Sequence, residues 1–160
     1  MPVRYERWSL LTQINGYRTF ESTVRAHMMN NDPINTNRLF DFCLYPSIGE
    51  DLYFVRMTAF FSPDVTGNHT FWFMGDDWAL LFIGESSDNT QLVTSLSRYT
   101  SVYKTKYSGI MHLVKDRMYY MEVLFYDIGG NDWLSLTMVR PGDEDRINVS
   151  FDYLYPADDF

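Results

Sequence analysis

The second half of the chain alternates apolar and polar residues with a period of two, in short runs separated by turn residues. Tyr53, Val55, Met57, Ala59 and Phe61 fall on one side of a strand, with Arg56 and Thr58 on the other. Ser62-Pro63-Asp64-Val65-Thr66-Gly67 follows as a turn, then Asn68–Met74 and Trp78–Ile83 as two further strands. Gly84–Asn89 is another turn, and Ile110–Val114 a short strand closed by Lys115-Asp116-Arg117. Met118–Tyr126 places Tyr119, Met121, Val123 and Phe125 opposite Glu122. Trp133–Val139 places Leu134, Leu136 and Met138 opposite Ser135 and Thr137, and Ile147–Tyr153 alternates in the same way. Eight or nine such strands with regularly spaced turns predict an all-β, antiparallel sandwich or barrel, with the sandwich preferred. The aromatic share of 18% agrees, since Tyr, Phe and Trp fit a pleated, half-buried surface.

The first fifty residues show no sustained period. Arg4–Leu11 is compatible with a strand, and Asn15-Gly16 with a turn. Thr19–Met29 is the best helical candidate, with Phe20, Val24 and Met28 four apart, although an ordered loop fits as well. Asn30–Asn37 is rich in turn residues, Pro33 stops any helix there, and Leu39–Tyr45 is expected to be a strand. The N-terminal segment is therefore expected to be irregular. Gln91–Ser108 is polar and ambiguous.

With 160 residues the chain has room for one domain and one substantial core. Its formal charge of −8 repels phosphate backbones, so no nucleic-acid partner is expected. No apolar run is long enough to span a bilayer, so no membrane insertion is expected either. No basic start followed by an apolar stretch is seen, so no signal peptide is expected. The Met-Pro opening and the acidic, Pro-containing end are read as the edges of a module within a larger protein, with neighbouring domains. Cys43 is the single cysteine, which excludes an internal disulfide and a thiolate metal cluster, and its apolar surroundings suit a small buried hydrophobe.

One stretch resists the plain hairpin reading. In Phe71–Gly84, FWFMGDDWALLFIG, two very apolar strands meet at Asp76-Asp77. A turn accounts for Gly75-Asp76, but two carboxylates held side by side repel unless a positive charge lies between them. Whether that charge is a calcium ion is the question the corner poses. Other chemistries are poorly represented. His27, His69 and His112 lack zinc spacing, and Gly129-Gly130 lacks the helix and Lys of a phosphate loop. Glu122 and Asp152 sit on separate strands with nothing to pair them across a cleft, so no enzymatic activity is expected. Asn68-His69-Thr70 and Asn148-Val149-Ser150 match the glycosylation sequon at a frequency close to chance.

The order of these pieces resembles the lectin-like β-sandwich domain named after the anthrax protective antigen, which also occurs in fungal flocculins, epithelial adhesins and bacterial adhesins. The resemblance rests on a Pro/Gly turn, an aromatic strand, Gly75-Asp76-Asp77, and a strand ending in Ile83-Gly84. Leu113, Tyr119-Tyr120, Glu122-Val123, a Gly-rich loop and a final strand pair follow. It implies an antiparallel β-sandwich and a calcium ion held by the neighbouring aspartates Asp76 and Asp77, joined by a cis peptide, with sugar hydroxyls bound directly to the ion. It further implies that the loop 127–132 completes the shell: Asp127 as a side-chain ligand, Gly129 and Asn131 as carbonyl donors. Asp127 stands where fungal members commonly have Asn, and would add a negative charge. The register is open, since Asn131 or Asp132 would serve equally as the side-chain ligand. Trp78 and Trp133 flank the two loops and either stack on a sugar or pack into the core.

The resemblance thus implies a calcium-dependent carbohydrate-binding module of an extracellular or cell-surface adhesin. Its partner would be a glycan or surface polysaccharide, touched by Asp76, Asp77, Trp78, Asn131, Asp132 and Trp133. The alternative is a structural or protein-interaction module that uses the same sandwich as a spacer.

Overall fold

The computed structural model describes residues 1–44, 51–130 and 132–159. The strands are β1 (Val3–Ser9), β2 (Asn35–Leu39), β3 (Tyr53–Phe61), β4 (Gly67–Asp76), β5 (Trp78–Ser86) and β6 (Asn89–Leu96). They continue as β7 (Ser108–Leu113), β8 (Tyr119–Asp127), β9 (Trp133–Val139), β10 (Ile147–Asn148) and β11 (Leu154–Tyr155). Among the described residues the single α-helix, α1, is Phe20–Asn30. The larger sheet runs β2-β1-β3-β8-β5-β6, with β11 also on β3, and the smaller runs β10-β9-β4-β7. Every strand pairing is antiparallel. The expected β-sandwich is what forms.

The alternation read from the sequence sets the main core. Tyr53, Val55, Met57, Ala59 and Phe61 meet Tyr119, Met121, Val123 and Phe125 of the same sheet. Across from them lie Phe71, Phe73, Leu134, Leu136 and Met138 of the small sheet. The opposite face of the large sheet is also covered. Phe20 and Val24 of α1, together with Trp8 and Ile14, close over Phe54, Leu80, Phe82, Leu124 and Tyr126. The molecule is a helix on a sheet on a sheet, each apolar face buried against the next. The helix is fixed at its C-terminal end by Asn30 and Asn31, whose amides donate to the carbonyls of Ala26 and His27, while the Trp8 indole donates to the Asn31 carbonyl at 2.9 Å.

Four expectations are corrected here. The N-terminal segment is not irregular: β1 and β2 extend the large sheet, and α1 seals its outer face. The strand placed at Leu39–Tyr45 lies earlier, at Asn35–Leu39, where the polar residues tolerate an exposed edge position beside β1. Asp41 and Leu44 make only isolated bridges, and Tyr45 lies outside the described residues. Ile147–Tyr153 is not one strand. Ile147 and Asn148 pair with β9, the Val149 N–H reaches the Leu136 carbonyl at 3.5 Å, and a tight turn with Tyr153 N–H on the Ser150 carbonyl then sends the chain across to β3. Val149 and Leu154 are buried on either side of that crossing, so one apolar alternation serves two sheets. Cys43 is partly buried rather than a core residue, and burial with nearby Asp41 pushes its thiol up to about 11.

Candidate metal centre

The acidic corner forms where β4 gives way to β5. The Asp76–Asp77 peptide bond is cis, as the resemblance implied. Gly75 precedes it at φ 155, and a Cβ there would lie 2.5 Å from the Trp133 carbonyl oxygen, so the close approach of β9 requires glycine. The register places Asp76 opposite Trp133, at the end of the small sheet.

The second loop starts from β8. Asp127 ends that strand opposite Tyr53 of β3 and is fully buried. Neither of its carboxylate oxygens accepts a hydrogen bond among the described residues. The two loops touch: the Ile128 N–H donates to Asp77 Oδ2 at 2.8 Å. That contact brings together what lies fifty residues apart in sequence. Asp132 is 4% exposed, and its Oδ2 accepts the phenolic hydrogen of Tyr53. Asp51 comes up beside Gly129, its Oδ1 3.5 Å from where a Gly129 Cβ would stand.

The electrostatics follow from this crowding. Burial, then Asp132, Asp77, Asp51 and Asp76, push the Asp127 carboxyl up to about 7. Burial, a hydrogen bond with Asp77, and the charges of Asp77 and Asp132 push Asp76 up to about 7 as well. The Tyr53 phenol is raised by burial and by its bond to Asp132. The groups acting on Asp76 and Asp127 are all carboxylates.

Among the described residues, no three His, Cys, Asp or Glu side chains form a ready metal cluster. The donor chemistry nevertheless suits a hard cation. A fully buried carboxylate without a hydrogen bond carries the desolvation cost of its charge with nothing to offset it. Oxygen donors of this kind are those calcium takes, six to eight at a time, with backbone carbonyls completing the set.

The sequence-derived site residues separate into groups. Asp76, Asp77 and Asp127 come together, and Gly129 lies in the same loop. Asn131 lies outside the described residues. Trp133 stands opposite Asp76, half-buried on the outer face of the small sheet. Two residues assigned to the sugar have contacts within the chain. Trp78 packs on Tyr126, Phe20 and Tyr17, with ring centroids 5.2, 5.9 and 5.7 Å away, on the helix side of the large sheet. Asp132 is turned inward to Tyr53 and does not reach solvent. Sequence reasoning missed Tyr53 and Asp51, which precede the acidic loop by some seventy-five residues and reach it only because β3 pairs with β8. Glu122, one of the carboxylates considered for glycoside chemistry, is bound to Arg25 beneath the helix at 2.6 Å.

The family model for the PA14 domain matches residues 15–150. The chain belongs to the PA14 domain family. Among solved structures, this PA14 domain is similar to the A domain of epithelial adhesin 6 from Candida glabrata, in complex with Galb1-3GlcNAc. That likeness has a TM-score of 0.73 at 16% identity, over 99% of this chain and 88% of the other. It is similar also to the PA14 sugar-binding domain of an RTX adhesin, TM-score 0.75 at 14% identity, over 97% and 98% of the two chains. An anti-sigma factor domain-containing protein from Clostridium clariflavum aligns with TM-score 0.70 at 17% identity, over 98% of this chain and 47% of its own length. The PA14 domain thus spans about half of that protein. At these identities the likenesses establish the fold. Comparison with curated protein sequences gave no match. No helix among the described residues is long and apolar enough to cross a membrane, which says nothing of a β-barrel.

Proposed function

We propose that this PA14 domain is a non-enzymatic, calcium-dependent glycan-binding module of a secreted or cell-surface adhesin with neighbouring domains. The observation that carries the reading is Asp127: a fully buried carboxylate with no hydrogen-bond donor among the described residues, close to Asp76 and Asp77. Asp76, Asp77 and Asp127 would hold the ion, with carbonyls of the loop 128–132, Gly129 among them, as further donors. Bound calcium supplies a hard Lewis-acidic centre whose outer coordination positions accept vicinal sugar hydroxyls in place of water.

The chain's own groups do the rest. Asp77 holds the second loop through the Ile128 amide, so the corner and loop present one surface. Asp132, fastened to Tyr53, sets the floor beneath Asp127 and adds negative charge without meeting the ligand. Trp133 borders the corner on the small-sheet side and offers an aromatic edge to a sugar. The adhesin domains of the same fold, one in complex with Galb1-3GlcNAc and one a sugar-binding domain, support the ligand class.

Calorimetric titration of the metal-stripped domain with calcium, then with monosaccharides bearing vicinal diols, tests this. One calcium site followed by calcium-dependent sugar heat is expected, and Asp77→Asn should weaken both. Unchanged calcium affinity in Asp77→Asn would remove the corner from the site. The clamp between Asp77 and Ile128 also favours a second reading, in which the ion only stiffens a spacer module; calcium would then raise Tm with no glycan bound.

A further inference from the structure

The outer face of the four-stranded sheet carries a constellation that the calcium reading does not use. Across four strands the register aligns Ser108 of β7, Trp72 of β4, Thr137 of β9 and Asn148 of β10 in one row. Arg146, just before β10, lies over this row. Its guanidinium carbon is 4.5 Å from the Trp72 ring centroid and 4.1 Å from that of Tyr103, while the two rings meet edge-on at 5.9 Å. A guanidinium held against two aromatic rings in this way is confined to one position over the row.

Among the described residues ion pairs engage Arg4, Arg25, Arg38, Arg56 and Arg140, but not Arg146, in a chain with an excess of acidic residues. Arg146 is exposed, and Tyr103 beside it is 38% exposed. Beneath them, neither the Trp72 indole N–H nor the nine-tenths-buried Thr137 hydroxyl has a hydrogen-bond partner among the described residues. The row therefore offers hydrogen-bonding groups and an aromatic surface, and among the described residues no carboxylate pairs with Arg146 over it.

We infer that the outer face of the small sheet is a second glycan subsite, taking a sugar residue that bears a carboxylate or sulfate. The anion accepts from the guanidinium of Arg146, the ring lies against Tyr103 and Trp72, the Asn148 amide supplies a neutral hydrogen bond at one flank, and the Ser108 hydroxyl, which already donates to the Thr105 carbonyl at 2.7 Å, accepts one at the other. Trp72 and Asp76 sit on the same face of β4, four residues apart, about 13 Å at the rise of a strand. A glycan a few residues long spans that distance, so one chain can meet both sites. The sugar class rests on the glycan-binding reading above; the subsite itself needs no metal.

The test uses the intact domain in EDTA, which silences the calcium corner, titrated with a galacturonate tetramer, a sulfated galactose tetramer and a neutral galactose tetramer. Binding is read by calorimetry and by Trp fluorescence. At least one acidic tetramer should bind and the neutral one should not, and the arm that binds separates carboxylate from sulfate. Arg146→Gln should cost at least tenfold in acidic-tetramer affinity, and Arg146→Lys nearly as much, since an ammonium does not reproduce the stacked planar fork. Both variants should keep the wild-type Tm within a few degrees and bind calcium unchanged. Lys106→Gln, which removes a cation lying over Tyr107 instead, should leave acidic-tetramer affinity unaltered. Absence of acidic-tetramer binding overturns the subsite, as does equal loss in Lys106→Gln and Arg146→Gln, which would mean diffuse charge attraction. If the acidic tetramer binds in EDTA while the calcium titration fails, the calcium reading falls and this one stands. The reverse outcome removes the subsite alone.

Discussion

Two groups of buried carboxylates in this domain are treated in opposite ways. On the outer face of the large sheet, Glu6 is 3% exposed and lies within 2.7 Å of Arg56 and 2.9 Å of Arg4; Glu122, 5% exposed, lies within 2.6 Å of Arg25. At the end of the sandwich, Asp127 is equally buried and meets only other carboxylates. The chain neutralises the first group itself and, among the described residues, sets no cation of its own beside the second. Glu6 and Glu122 therefore belong to folding, whereas Asp76, Asp77 and Asp127 have the signature of a site.

Substitutions that remove charge should sharpen that contrast, because they are predicted to act with opposite sign. Asp127→Asn should lower calcium affinity by about 100-fold or more, the loss of one charged oxygen donor. The same change should raise the Tm of the metal-free domain, since it deletes an uncompensated buried charge. Calorimetry and thermal melting in EDTA read the two effects, and a lowered metal-free Tm would mean that Asp127 is a stabilising structural residue after all.

Arg56→Met should do the reverse. It strips Glu6 of its closer partner and should cost about 3 kcal/mol, the scale for breaking a buried pair, without touching calcium affinity. Urea unfolding measures it. A cost well under 1 kcal/mol would show that Arg4 alone suffices and that the contrast is weaker than drawn.

The smallest effect is the response to acid. Asp76 and Asp127 take up protons near pH 7 when folded but only near the ordinary aspartate value when unfolded. Between those values the folded state binds more protons, so metal-free stability should rise as pH falls from about 8 towards 5. Asp76 is only half-buried and solvent screens it, so the expected gain is about 5 °C in Tm. Saturating calcium should abolish the slope or reverse it, because metal and proton compete for the same oxygens. A metal-free Tm independent of pH in this range would mean the carboxylates are already relieved by water.

The fold was legible wherever one strand face is buried and the other is not. In β3, β8 and β9 the period of two predicted both the strand and its inward residues, from Tyr53 to Met138. It was illegible where position in the sheet overrides composition. Asn35–Asn37 reads as turn because its residues are polar, yet an edge strand beside β1 needs little apolar surface. The outward residues of β3 and β5, Phe54, Leu80 and Phe82, blur the alternation because α1 covers them, which sequence spacing does not announce.

The sequence by itself determined that this is an antiparallel β protein, that Asp76 and Asp77 meet at a corner between two apolar strands, and that a Gly-rich acidic loop follows β8. Local pattern suffices for these, because alternation and turn chemistry act between near neighbours. Only the tertiary structure decided which charges end up without partners. Asp127 lies beside the corner, Asp132 beneath it on Tyr53, and Trp78 in the helix-side core, because β3 pairs with β8 and β4 with β9. Burial and the choice of partner are properties of contacts between distant segments, and no spacing along the chain records them.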